Sequence, residues 1–180
     1  MGKHDMVPFK LKFDESLIPE LAGRYSFQDD IDALKAGEQI RGGHYTRRNL
    51  ETIFEWKTKG RGRSRLATNT DEEIEDALRL AMAAKSDRAA IAVLWGLSGV
   101  QVPVASAILT AIDPDRFTII DFRALEALSV TQPTISITFY LAYLAKCRDL
   151  AKENNVPLRT LDRALWQWSK ENRIETPFAA

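Results

Sequence analysis

The sequence predicts an all-α protein, and three observations carry that prediction. Apolar residues recur at helical spacing, most clearly at Ile74, Ala77, Leu78 and Ala81. Helix start signals precede such windows, above all the capping box Thr70-Asp71-Glu72-Glu73. Beyond the first residues no segment alternates as a strand would, and the chain holds no internal repeat. About seven to nine helices are expected, in a single domain over residues 26–180 preceded by an N-terminal arm over 1–25. At 180 residues the chain is long enough for one well-formed core.

Each element has a local reason. Residues 1–20 mix prolines with an alternating Phe-Lys-Leu-Lys-Phe stretch and read as an extended arm. Residues 29–37 read as a short helix with Ile31 and Leu34 inward and Gly37 as its stop. Thr46 caps a second helix, whose Leu50, Ile53 and Phe54 share one face. Residues 57–65, KTKGRGRSR, alternate basic side chains with glycine and serine and read as a loop. After the capping-box helix, another runs from about Arg88 to Leu97. Pro103 suits the first position of the next helix, VPVASAILTAI. The stretch DPDRF turns the chain, and a further helix starts near Asp121. Two C-terminal helices complete the domain over 134–171. One is long and apolar, and the other opens at Pro157 with Leu158, Leu161, Leu165 and Trp168 inward.

Composition narrows the function classes. No apolar run approaches the roughly 20 residues that span a bilayer, and the N-terminus lacks a signal-peptide core, so no membrane contact and a cytoplasmic location are expected. A single cysteine, Cys147, leaves no internal disulfide, Cys-rich zinc site or iron–sulfur cluster; it reads as a buried apolar filler. His4 and His44 make no metal-ligand spacing, and nothing implies a cofactor. Twenty-five basic and 25 acidic residues cancel, which argues mildly against a strong nonspecific DNA binder. The charge is sorted, however. Eight basic residues lie between Arg41 and Arg65, opposed only by Glu51 and Glu55, so a basic face is available.

Residues 88–130 carry the most specific pattern. AAIAVLWGL and VPVASAILTAI are two helices joined by a tight glycine turn and packed through Ala105, Ser106 and Ala107, a helix-hairpin-helix arrangement. Such a turn aims backbone N–H groups and the positive end of a helix dipole at one DNA phosphate. Leu97, Gly99, Val100, Gln101, Val102 and Pro103, with Asp121 in the string Ile120-Asp121-Phe122-Arg123, resemble the helix-hairpin-helix superfamily of DNA glycosylases, the endonuclease III-like group. The 18 positions from Pro103 to Asp121 suit that family. The likeness is close over 88–130 and looser over 45–130.

The resemblance implies a glycosylase-like helical bundle, double-stranded DNA as partner and Asp121 as catalyst. Two departures follow from the same alignment. Pro103 occupies the position of the Schiff-base lysine of bifunctional members, which removes lyase chemistry through that position and leaves a monofunctional enzyme. Gln101 replaces the second turn glycine, where a side chain crowds a phosphate and pays for any positive φ.

The remaining candidates follow from the chemistry. Breaking an N-glycosidic bond gives the sugar oxocarbenium character, which a carboxylate beside the anomeric carbon stabilises while it orients or deprotonates water. The alternative for Asp121 is an N-cap of the helix FRALEAL, worth about 1 kcal/mol. Arg123 is placed to contact a phosphate, to pair with Asp121 or simply to be solvated. Gly99, Gln101 and Val102 form the phosphate cradle, and Arg61, Arg63 and Arg65 reach backbone phosphates or remain in a solvated loop. Trp56 and Tyr45 stack on a flipped base or pack half-buried. Trp95, Trp166 and Trp168 read as core. A noncatalytic DNA-binding module and a helical protein-interaction domain on the same scaffold remain alternatives.

Overall fold

The computed structural model describes residues 9–131 and 133–172; the arm's first eight residues, with His4, and the tail beyond 172 lie outside them. Among the described residues the chain is all-helical, with ten α-helices and no strand. They are α1 (Ile18–Gly23), α2 (Ile31–Arg41), α3 (Arg47–Thr58), α4 (Arg63–Leu66), α5 (Asp71–Ala83), α6 (Asp87–Trp95), α7 (Val102–Ile112), α8 (Phe122–Ala127), α9 (Ile137–Glu153) and α10 (Leu158–Asn172). The count exceeds the expected seven to nine because of α1 and α4, which are only six and four residues long, below the length at which periodicity is readable.

Capping chemistry starts the helices where the sequence places it. The Thr46 hydroxyl accepts from Asn49 N at the head of α3, Thr70 and Glu73 complete the capping box of α5, and Ser86 and Ser136 cap α6 and α9. Ile74, Ala77, Leu78 and Ala81 are all buried, as are Leu50, Ile53 and Phe54. No described helix is long and apolar enough to cross a membrane.

Three expectations change. Gly37 does not stop α2; it lies inside that helix, buried against α7, where a Cβ would come within 1.9 Å of the Ala111 carbonyl oxygen. The buried face of α2 is therefore Ala33, Ala36, Gly37 and Ile40, while Ile31 is 42% exposed. Residues 57–65 are not all loop: α3 runs to Thr58, Lys59 ends it in the left-handed region, and α4 begins at Arg63. Trp95 is 51% exposed rather than core.

The arm expected over 1–25 contains α1, which packs against α10. Ahead of it a 3-10 turn at Glu15–Leu17 interrupts the extended run expected over 1–20, and Lys10 N and Lys12 N donate to the carbonyls of Leu128 and Ala127. Phe9 sits edge-on to Phe139, and Phe13 stacks on Trp168. The arm thus ties the end of α8 to α9 and α10. On the other side, α2 packs on α3 and α7, and α5 and α6 pair as a hairpin.

Candidate functional site

Asp121 is positioned by a buried extended segment. After α7 the chain turns at 113–116 and runs through Phe117, Thr118, Ile119 and Ile120, all buried, before Asp121 starts α8. Three side chains fix this segment through its backbone. Ile120 N donates to the Ser106 hydroxyl of α7 (3.1 Å), the Tyr140 hydroxyl of α9 donates to Thr118 O (3.1 Å), and the Tyr143 hydroxyl donates to Ile119 O (2.7 Å). Ser106 donates in turn to Pro103 O. The position of Asp121 therefore rests on buried hydrogen bonds from two long helices.

The Asp121 carboxylate has two engagements. Its Oδ1 accepts from Ala124 N (3.0 Å), the N-cap bond of α8, and its Oδ2 accepts from Lys57 Nζ of α3 (3.2 Å). Both side chains remain partly accessible, 20% for Asp121 and 15% for Lys57. They open on a cleft of about 210 Å³ between α3 and α10. The α3 wall supplies Trp56, Lys57 and, just past its end, Lys59. The α10 wall supplies Arg159, Asp162, Arg163, Trp166 and Lys170, with Tyr25 and Ser26 closing one end.

A charged network underlies the α10 wall. Asp30, 1% exposed, accepts from the Tyr25 hydroxyl (2.9 Å), Arg159 Nη2 (2.6 Å) and Arg163 Nη2 (3.3 Å). Arg159 Nη1 also bonds Asp162. These are charge-assisted bonds in a shielded setting. Burial, reinforced by the Asp30 charge, pushes the Tyr25 phenol up to about 12. Burial and the neighbouring Arg159 hold the Arg163 guanidinium below its ordinary value. The Arg159 guanidinium lies 5.9 Å from the centre of the Tyr25 ring and 5.8 Å from that of Trp56. Tyr25 meets Trp166 edge to face at 5.3 Å.

The expected site residues divide accordingly. Asp121 and Trp56 share the cleft. Tyr45 lines neither it nor the grooves beside α3 and packs half-buried against the core, because the α2–α3 connection turns it inward. Arg123 makes no ion pair with Asp121; Lys57 holds that place. Arg123 instead lies over Trp166 (5.0 Å) and Phe122 (5.1 Å), and its Nη1 is buried without a hydrogen-bond partner. Trp166, read as core, lines the cleft.

The turn between α6 and α7 brings together the remaining candidates. Gly99 has φ of 83°, and a Cβ there would meet Leu66 N at 2.8 Å, so glycine is needed both for conformation and for close packing on α4. Asn69 clasps the turn, donating to Ser98 O and accepting from Ser98 N. Gln101 has φ of −90°, so the positive-φ strain expected of a residue there does not arise. Its side chain is exposed, whereas Val102 is buried. Because α4 packs on this turn, Arg61, Arg63 and Arg65 stand exposed beside it, without an ion pair among the described residues. A second groove of about 540 Å³ runs between α2 and α3 past Arg63 and Trp56, but Asp32, Glu51 and Glu55 balance its charge.

The α10 contribution to the cleft goes beyond what the sequence suggested, although the signal is present. Arg159, Asp162, Arg163, Trp166 and Lys170 recur at helical spacing, opposite the leucine face on which attention falls first. Lys57, Ser106, Tyr140 and Tyr143 carry no such signal, since their roles depend on contacts across the chain. Comparison with known protein families, curated proteins and solved structures finds none that matches this chain.

Proposed function

We propose that the protein is a helix-hairpin-helix DNA glycosylase-like hydrolase without lyase activity, which removes a base flipped from double-stranded DNA. The observation that carries the reading is the setting of Asp121: a partly accessible carboxylate in the wall of a cleft with two indoles and a cationic rim. A flipped nucleotide needs aromatic surface beside its base and cations for its phosphates, and two indoles and five cations line this cleft. In this reading Asp121 stabilises the developing oxocarbenium charge and takes a proton from the attacking water. Lys57 orients the carboxylate through Oδ2, leaving the N-cap bond to hold Oδ1. Arg61, Arg63 and Arg65, beside the α6–α7 turn, would contact the DNA backbone.

A second reading, a noncatalytic DNA-binding module on the same scaffold, draws support from the Lys57 pair itself, which commits one carboxylate oxygen. Base release from a panel of lesion-containing duplexes, wild type against Asp121→Asn, separates the two. Asparagine keeps the N-cap acceptor but not the charge. Release that is lost in the variant supports the enzyme. Salt-dependent DNA binding without release from any duplex supports the module, and release indifferent to the substitution rejects Asp121 as catalyst.

A further inference from the structure

The charge and ring contacts of the cleft bear on which base it takes, a question that rests on the glycosylase reading above. Lys57, Lys59, Arg159, Arg163 and Lys170 line it, against Asp121 and the buried Asp162 in its walls and Asp30 behind. Five cations thus face three carboxylates, an excess of two positive charges. Lys59 and Lys170 make no ion pair among the described residues.

The aromatic rings point the same way. A cationic base is held by electron-rich ring faces. Here those rings already serve the protein's own cations: Arg159 lies over Trp56, while Arg123 and Lys170 (5.2 Å) lie over Trp166. A base bearing positive charge would enter a positive cleft and find both indoles engaged. A neutral base with ring carbonyls has the opposite need. When its bond to C1′ breaks, the electron pair stays on the base, which departs as an anion delocalised onto its carbonyl oxygen. Water adds at C1′, its proton passes to Asp121 and then to solvent, and the free base takes a proton from water. Fixed positive charge stabilises that departing anion.

We infer that the substrate base is neutral and carbonyl-bearing, of the uracil or hypoxanthine type, and not a cationic N-alkylated purine.

The test uses the full chain and single-turnover release from duplexes carrying one uracil, one hypoxanthine or one N7-methylguanine, each rate divided by that base's spontaneous release. The expected enhancement for a neutral base exceeds that for N7-methylguanine by about tenfold or more. Lys59→Gln with Lys170→Gln is expected to slow neutral-base release about tenfold and N7-methylguanine release less than about twofold. A larger enhancement for N7-methylguanine overturns this inference and leaves the glycosylase reading standing. Release of nothing overturns the glycosylase reading instead. The cleft's preference is then read without catalysis, by tryptophan-quenching titration with inosine and with 7-methylguanosine. Tighter inosine binding supports the preference, and tighter 7-methylguanosine binding rejects it.

Discussion

Gly37→Ala is the sharpest perturbation of the scaffold. In an isolated helix alanine is better than glycine by about 1 kcal/mol. In this protein the added Cβ would stand 1.9 Å from Ala111 O and 2.3 Å from Ala111 C, where ordinary contact begins at 3.4 Å. Both colliding atoms are backbone, so no rotamer change relieves the overlap, and α2 and α7 must part by about 1.5 Å. That separation loosens the packing of Ala33, Ala36 and Ile40 and adds overpacking strain, usually about 1–3 kcal/mol and at the upper end for a backbone collision. A net loss of about 2 kcal/mol is expected after the helix-propensity gain, equivalent to a fall of roughly 4–8 °C in Tm for a domain of this size. Urea and thermal unfolding followed by far-UV circular dichroism measure it. A variant as stable as the wild type, or stabilised by the propensity difference, would refute backbone-to-backbone packing of α2 on α7.

Three further outcomes test the site and its supports. Ser106→Ala removes the acceptor of the buried Ile120 N–H and should cost about 1–3 kcal/mol, while lowering base release more than DNA binding, as measured by unfolding, single-turnover and binding assays. Replacing Arg61, Arg63 and Arg65 by glutamine should weaken DNA binding uniformly across sequences and reduce the slope of log affinity against log salt by about 1 for each phosphate that is no longer neutralised; an unchanged slope removes these residues from the interface. The Arg24 hydrogen bonds hold the Glu171 carboxyl at about 2, against 4.5 for the unperturbed group. A depressed carboxylate adds stability above its unfolded-state pKa and loses it as pH falls toward the folded value, so the protein should lose stability between about pH 4.5 and 2. Arg24→Gln should flatten that part of the unfolding profile, and an unaltered profile would count against the pair.

Much of the fold is written locally. A capping box needs four adjacent residues and an apolar stripe needs one helix, so α3, α5, α6, α7 and the two C-terminal helices can be read before any contact is known. Short α1 and α4 escape because a helix of four to six residues never completes a second turn of pattern. Gly37 shows the limit of a residue-type rule. Glycine ends helices when it supplies a left-handed φ, yet here it supplies the absence of a side chain.

The sequence alone determined that the chain is helical, that Asp121 begins a helix, and that basic residues concentrate before α5, since each depends only on near neighbours along the chain. The tertiary structure decided what Asp121 faces. Lys57 lies 64 positions away from it, and the α10 side chains opposite come from a separate helix near the end of the chain. Only packing brings α3, α8 and α10 around one cleft. It also decided that Tyr45 turns to the core while Trp166 turns to the cleft, because an aromatic ring is equally at home in either until the surrounding helices fix which face is dry.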